Sequence, residues 1–479
     1  MAVIDGAPLF DAWKSFVSDE VTPFTIPGHK RRGAHLDAAL GRLLDADVPL
    51  HGGADTVKLA AGVLIDAEQR AAQLWGADFC RFSTGGSTHA NQAVCLALGR
   101  HGDTVLVSRT AHRSTLLGLV LAGLKPVWLP AEIDPVFGFP SGLSIPALEA
   151  ALDEHPDAVA VLCVEPSYLG TMSDLADVAA RVHRRDLPLV VDQAWGAHLG
   201  FAAGYPGHAL SVGADAVVMS AHKTLPAFSQ AALVLARGDR FDLERLDRAF
   251  EAAHTTSPSA AILASIDFSR ALLASARGVE LLEEVSRAVA ELRVELRGLQ
   301  IVIPDPSDFP AGRFDPAKLV LLLAGSGRSG LDVENCLLSQ GIPLEMADRD
   351  TIVPLVSMLD DAQSLGRLRR SLVRAMAEVP VGAPRALSVA AQWEHSAPQL
   401  RTPREAFFAA HETVSAAAAV GRVSAEVIAP YPPGVAVMLP GEQITEQTLV
   451  ALNVSAAAGT RIAYAADPSL ETFQVVRED

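Results

Sequence analysis

Ser220-Ala-His-Lys-Thr-Leu-Pro-Ala-Phe-Ser-Gln230 stands between two apolar runs, Asp215-Ala-Val-Val-Met219 and Ala231-Ala-Leu-Val-Leu-Ala236. Short apolar runs bounded by turn chemistry read as buried strands. Lys223 is therefore expected on a loop between two core strands. There, lost hydration disfavours an ammonium ion and leaves the amine nucleophilic. His222 and Ser220 put hydrogen-bonding groups beside it. The same residues also admit a plain solvated lysine, so other segments must decide.

Working outward, Thr104–Val107, Val127–Leu129, Ala158–Val164, Leu187–Val191, Asp215–Met219 and Ala231–Leu235 are further strand candidates separated by helical patterns. Strands alternating with helices over this length imply a mostly parallel sheet covered on both faces. Ligands of such sheets gather at the carboxyl ends of the strands. Glu165-Pro-Ser-Tyr168, Asp192-Gln-Ala-Trp-Gly-Ala-His198 and Ser220-Ala-His-Lys223 each follow a candidate strand, so they are expected on one rim. Asp192 ends an apolar run and needs a cationic or N–H partner, either a backbone amide or a protonated ring nitrogen.

A second segment, Ser83-Thr-Gly-Gly-Ser-Thr88, opens a helical pattern over His89–Leu98. A glycine turn with Ser87 and Thr88 at a helix start is either an ordinary cap or an anion cradle. Upstream, Asp11–Val21 and Ala67–Gly76 carry helical spacing, with Gly76 closing the latter. Downstream, Leu319–Ala324 reads as a strand before Gly325-Ser-Gly-Arg-Ser-Gly330, a glycine pattern also met in dinucleotide sites. No complete dinucleotide-binding half surrounds it, so a plain strand-to-helix loop is the expectation.

The 479 residues are 49% hydrophobic and 20% charged, which suits a soluble globular chain of more than one domain. The divisions expected are 1–60 (N-terminal segment), 61–270 (large domain), 271–385 (small α/β domain) and 386–479 (C-terminal domain). A formal charge of −17 argues against a nucleic-acid surface and favours attraction of a cationic small molecule. No apolar run is long enough to span a bilayer and no basic n-region opens the chain, so a cytoplasmic protein without membrane contact is expected. Cys80, Cys95, Cys163 and Cys336 are far apart, and three lie in apolar runs, as buried thiols of a reducing compartment do. No metal-ligand spacing is present.

One chemistry uses all these parts. Pyridoxal 5'-phosphate (PLP) takes an amine as a Schiff base, a carboxylate at its ring nitrogen, an anion cradle for its phosphate and a ring over its face. Lys223, Asp192 and Gly86-Ser87-Thr88 could supply the first three, and His112 the fourth. The chain resembles the Orn/Lys/Arg decarboxylase family, PLP enzymes of the aspartate-aminotransferase fold (fold type I). The resemblance rests on Thr22-Pro-Phe-Thr-Ile-Pro-Gly-His-Lys30, Ser83–Thr88, Glu165–Tyr168, Val191–His198 and Ser220–Gln230. It continues through Thr256-Ser-Pro258, Pro430-Tyr-Pro-Pro-Gly434 and Pro440-Gly-Glu442. It implies an α/β large domain with a mostly parallel sheet, smaller α+β C-terminal domains and a homodimer.

By that resemblance Lys223 is the Schiff-base lysine, Asp192 the ring-nitrogen partner and His112 the stacked ring. Gly86, Ser87, Thr88, Ser220 and His222 hold the phosphate, and Trp195 and His198 lie near the cofactor. The reaction implied is decarboxylation of arginine, lysine or ornithine to a polyamine-type amine. Gly85-Gly86 stands where the family often has Asn-Gly, and Trp195 where it often has His. Asp55–Gly62 lacks the expected Asp-Leu-His-x-Pro pattern, which leaves the substrate open. The rivals are another PLP reaction (aminotransferase or lyase), an inactive paralogue serving as a binding subunit, and the nucleotide reading of Gly325–Gly330.

Overall fold

A computed structural model of the chain describes residues 4–18, 24–34, 37–48, 62–386, 397–431 and 435–478. The strands of the first half are β1 (Phe79–Ser83), β2 (Thr104–Ser108), β3 (Lys125–Leu129), β4 (Ala131–Ile133), β5 (Pro140–Leu143), β6 (Val161–Val164), β7 (Leu189–Asp192), β8 (Ala216–Ser220) and β9 (Ala232–Ala236). Seven of them make one sheet in the order β1-β9-β8-β7-β6-β2-β3, while β4 and β5 pair with each other. All neighbours run parallel except around β9, which is antiparallel to β8 and β1.

Composition accounts for the sheet's position. Val161-Leu-Cys-Val164, Leu189-Val-Val191 and Ala216-Val-Val-Met219 are near-continuous apolar runs, so both faces need cover. One face packs on a core including Leu64, Ala71 and Trp75 of helix Val63–Trp75. The other packs on Ala90 and Val94 of helix Gly86–Leu98, Leu119 of helix Arg113–Ala122 and Phe250 of helix Leu243–Ala253. Gly76 closes its helix in the left-handed region at φ +66°, as its type predicts.

Each of the six expected strands forms, with ends moved by one to three residues. Phe79–Ser83, which carries no strand assignment in the sequence reading, becomes the edge strand β1. Leu319–Ala324 shrinks to β10 (Leu321–Leu322) because its ladder with β12 (Thr351–Val353), which also pairs β11 (Met346–Ala347), spans two residues, beside a single bridge to Val302. Helices Ala276–Leu296, Gly330–Ser339 and Ala362–Glu378 cover this small sheet with a core of Val289, Leu321, Leu337 and Leu372. The Gly325–Gly330 loop is spent within that unit. Gly327 N–H donates to Ala324 O, Gly330 N–H to Arg349 O, and Arg385 reaches the Gly327 and Arg328 carbonyls.

In the last stretch β13 (His411–Ser415) pairs β16 (Thr472–Val476), and β14 (Ala429–Tyr431) pairs β15 (Arg461–Ala463). Helix Glu446–Ala457 closes over a core of Ile428, Val437, Leu452 and Phe473. Pro430 sits in a two-stranded ribbon, where a missing N–H is tolerated. Cys80, Cys95 and Cys163 are buried thiols. Among the described residues no helix is long and apolar enough to cross a membrane. Thr22-Pro23, Asp55–Ala61 and Pro432–Gly434 lie outside the described residues.

Candidate active site

Register places the chemistry at one rim. Val164 is level with Asp192 and Asp192 with Val218, so β6 and β7 deliver their last residues side by side while β8 runs two residues further to Ser220. Lys223 is not on a loop. It occupies a single helical turn, Ala221–Thr224, directly after β8. Burial pushes its amine below the usual lysine range, and the Asp192 and Glu345 carboxyl groups pull it back up. Its Nζ lies 4.4 Å from the centre of the Trp195 ring.

Asp192 is 2% exposed, and its two oxygens take different donors. Ala194 N–H donates to Oδ1 at 3.1 Å and the Asn91 amide to Oδ2 at 2.8 Å. The other Asn91 N–H goes to Ser114 Oγ at 3.0 Å. Ser114 Oγ therefore uses its own hydrogen toward His112 Nδ1, 2.8 Å away. That nitrogen also accepts the Ser114 N–H, so His112 carries its proton on Nε2. One relay thus couples the Asp192 carboxyl to the tautomer of His112, which caps helix Arg113–Ala122 and opens to the cavity. Asn91 and Ser114 are absent from the sequence reading. Asn91 lies four residues after Ser87 on one helix, a spacing that puts both on one face and could have flagged it.

The phosphate-type residues divide. Ser220 Oγ donates to Ser87 Oγ at 2.9 Å, so these two hydroxyls form a unit. Gly86 adopts φ +70° and gives its N–H to Gln230 O at 2.9 Å, which fixes the turn but occupies that amide. The Ser87 and Thr88 amides are in the first helical turn, with no carbonyl behind them. Thr88's side chain is exposed. His222 Nδ1 bonds Ala231 O at 2.9 Å, so its proton is spent on that carbonyl, and burial holds the ring's pKa low.

His198 is elsewhere. Its Nε2 lies 3.0 Å from Asp315 Oδ2, and its ring sits edge-on to Tyr205. Trp195 meets Tyr168 edge-on at 5.1 Å. A second amine, Lys318, lies 4.3 Å from the Trp195 ring centre and 4.9 Å from that of Tyr168. Burial lowers it to about 8, against the pull of Asp315 and Glu345. Tyr168 O–H donates to Glu345 at 3.3 Å. Glu345 and Lys318 are also missing from the sequence reading, because both come from the small-sheet unit, more than ninety residues beyond Lys223.

Ser87, Thr110, His112, Tyr168, Asp192, Trp195, Lys223 and Val435 line a cavity of about 630 Å³, mouth included. The donor set suits PLP: an amine of lowered basicity, a buried carboxyl at a strand end, paired hydroxyls at a helix start and an imidazole lining the same cavity.

Comparison with known proteins agrees. The family model of the Orn/Lys/Arg decarboxylase major domain matches residues 7–305 and that of the C-terminal domain residues 390–459. Arginine decarboxylase of Halalkalibacterium halodurans is 31% identical over 482 residues, covering 98% of each chain. Arginine decarboxylase of Bacillus subtilis is 30% identical over 485 residues, again covering 98% of each. The solved constitutive lysine decarboxylase of Escherichia coli has the same fold at TM-score 0.81 and 22% identity, over 98% of this chain and 82% of that one. The chain belongs to the Orn/Lys/Arg decarboxylase family and is a PLP-dependent amino-acid decarboxylase, a carboxy-lyase of fold type I.

Proposed function

We propose that this enzyme decarboxylates a basic amino acid, arginine first, releasing carbon dioxide and the corresponding amine for polyamine synthesis. The observation that carries the reading is the Lys223 amine on the face of Trp195, under the influence of Asp192 on one side and Glu345 on the other. The relatives that this chain matches end to end are named arginine decarboxylases, which supports arginine over lysine and ornithine.

When bound, PLP supplies an aldehyde for an amine and a ring that draws in the electrons released as a carboxylate departs. Lys223, its basicity lowered by burial, would be the amine that holds the aldehyde. Asp192, held by Asn91 and Ala194, would keep a proton on the ring nitrogen. His112, with its proton on Nε2, would lie against the ring. Ser87 and Ser220 hold the phosphate with the first-turn amides. His222 contributes there only when protonated, which its surroundings oppose. His198 acts through Asp315 and the small-sheet unit.

Substrate choice falls to Glu345. It is an exposed carboxyl group that accepts from Tyr168, whose ring meets Trp195, and it acts electrostatically on Lys223, so a distal guanidinium or ammonium is proposed to pair with it. The overall charge of −17 draws cations toward the site. Lys223 or a neighbouring histidine would supply the proton to the α-carbon. The enzyme is proposed to work as a homodimer in the cytoplasm.

The deciding experiment incubates PLP-loaded protein with arginine, lysine, ornithine and acidic amino acids, and quantifies amine products and carbon dioxide together. Agmatine with equimolar carbon dioxide is expected. A keto acid without carbon dioxide would overturn the reading.

A further inference from the structure

We infer that the C-terminal domain is a working part of the active site, with Arg109 and Glu442 as positioning residues for His112. This rests on the reading of His112 as the ring over the cofactor. Arg109 follows β2 by one residue and precedes His112 by three. Its guanidinium pairs with Glu442: Nη2 donates to Oε2 at 3.2 Å, and Nη1 lies 2.9 Å from Oε1 as an ion contact without hydrogen-bond geometry. Nη2 also donates to Val437 O at 3.0 Å, and Leu439 N–H donates to Glu442 Oε2 at 2.8 Å. The two side chains are only 5% and 2% exposed. Next along, His112 itself forms an antiparallel bridge with Val435, and the Arg113 guanidinium lies 4.2 Å from the Tyr464 ring centre. The loop carrying His112 is therefore pinned at three successive points by residues more than three hundred positions downstream. Val435 reaches far enough to line the cavity.

The chemistry of the pin argues for geometry rather than adhesion. Apolar side chains of similar volume hold two surfaces together at least as well as a buried ion pair, because two charges must be stripped of water. A buried guanidinium whose Nη2 is shared between the Glu442 carboxylate and the Val437 carbonyl, with Leu439 N–H holding that same carboxylate, instead accepts one register. With the register fixed at Arg109, the backbone at His112 meets Val435 and the imidazole meets Ser114.

Three variants test this: Glu442→Gln, the double variant Arg109→Met with Glu442→Met, and His112→Ala. The readouts are melting temperature, cofactor Kd by titration, and visible circular dichroism of the bound cofactor, which reports its fixed orientation. Glu442→Gln is expected to raise Kd at least tenfold and to halve the visible dichroic band. The double variant is expected to melt within a few degrees of the wild type yet keep the weakened band, and it covers the case in which Glu442→Gln does not fold. Recovery of band, Kd and kcat/KM along with melting temperature in the double variant would make the pair merely structural and overturn the inference. So would an unchanged band in Glu442→Gln while His112→Ala loses it. If His112→Ala itself leaves band and Kd unchanged, the failure lies with the reading of His112.

Discussion

The side-chain amide of Asn91 bridges Asp192 and Ser114, donating to Asp192 Oδ2 at 2.8 Å and tying a buried carboxyl group to the tautomer of His112. Asn91→Ala removes one of two donors to the Asp192 side chain among the described residues. A hydrogen bond to a charged group contributes about 1.5–3 kcal/mol. PLP affinity is therefore expected to fall by about 10- to 100-fold, with a smaller fall in kcat at saturating cofactor. An absorbance titration measures this, and a Kd within twofold of the wild type would remove Asn91 from the relay.

Lys223→Ala should reduce turnover by several orders of magnitude, since a covalent step accounts for a large share of the rate enhancement. Borohydride treatment followed by peptide mass mapping checks the same residue. The PLP-loaded wild type should gain a reduced adduct at position 223 and lose its colour, whereas the variant should show neither.

Glu345→Gln preserves the acceptor for Tyr168 but removes the charge. The KM for arginine is expected to rise about 10- to 100-fold, while kcat changes by a few-fold at most. Steady-state kinetics with arginine and with an uncharged analogue of equal length separate the effects. An equal KM increase for both would show that the residue does not read the cation.

Lys318 predicts an alkaline stability effect. Its folded pKa, about 8, is below the ordinary 10.5. Between those values the unfolded chain holds a proton that the folded chain has released, so this contribution to stability rises with pH, by up to about 3 kcal/mol. Glu165 works at the other end. Burial raises it to about 7 from 4.5, against hydrogen bonds from Ser173. Between 4.5 and 7 the folded chain holds the extra proton, so this contribution falls as pH rises. Urea denaturation of cofactor-free protein across pH 4.5–10.5 measures both slopes. Lys318→Met should reduce the upper one only in part, because burial also lowers the Lys223 amine. Glu165→Gln should reduce the lower one only in part, because Glu68 is likewise held at about 7 by burial. An alkaline slope identical in wild type and Lys318→Met would contradict the assignment.

The sequence by itself determined the sheet, the rim and the cofactor chemistry, because these depend on local signals. Val161–Val164, Leu189–Val191 and Ala216–Met219 are apolar without interruption, so they can only be strands covered on both faces. Asp192 and Lys223 follow such runs and inherit their place from them. Tertiary structure alone decided what surrounds that pair. Glu345 and Lys318 arrive from another unit of the chain, and Val435 and Glu442 from the C-terminal domain. It also set His198 against Asp315 and spent the proton of His222 on the Ala231 carbonyl. Periodicity and turn chemistry report what a residue's near neighbours require. Partners brought in from distant parts of the chain are set by how separate cores pack, and no local pattern carries that.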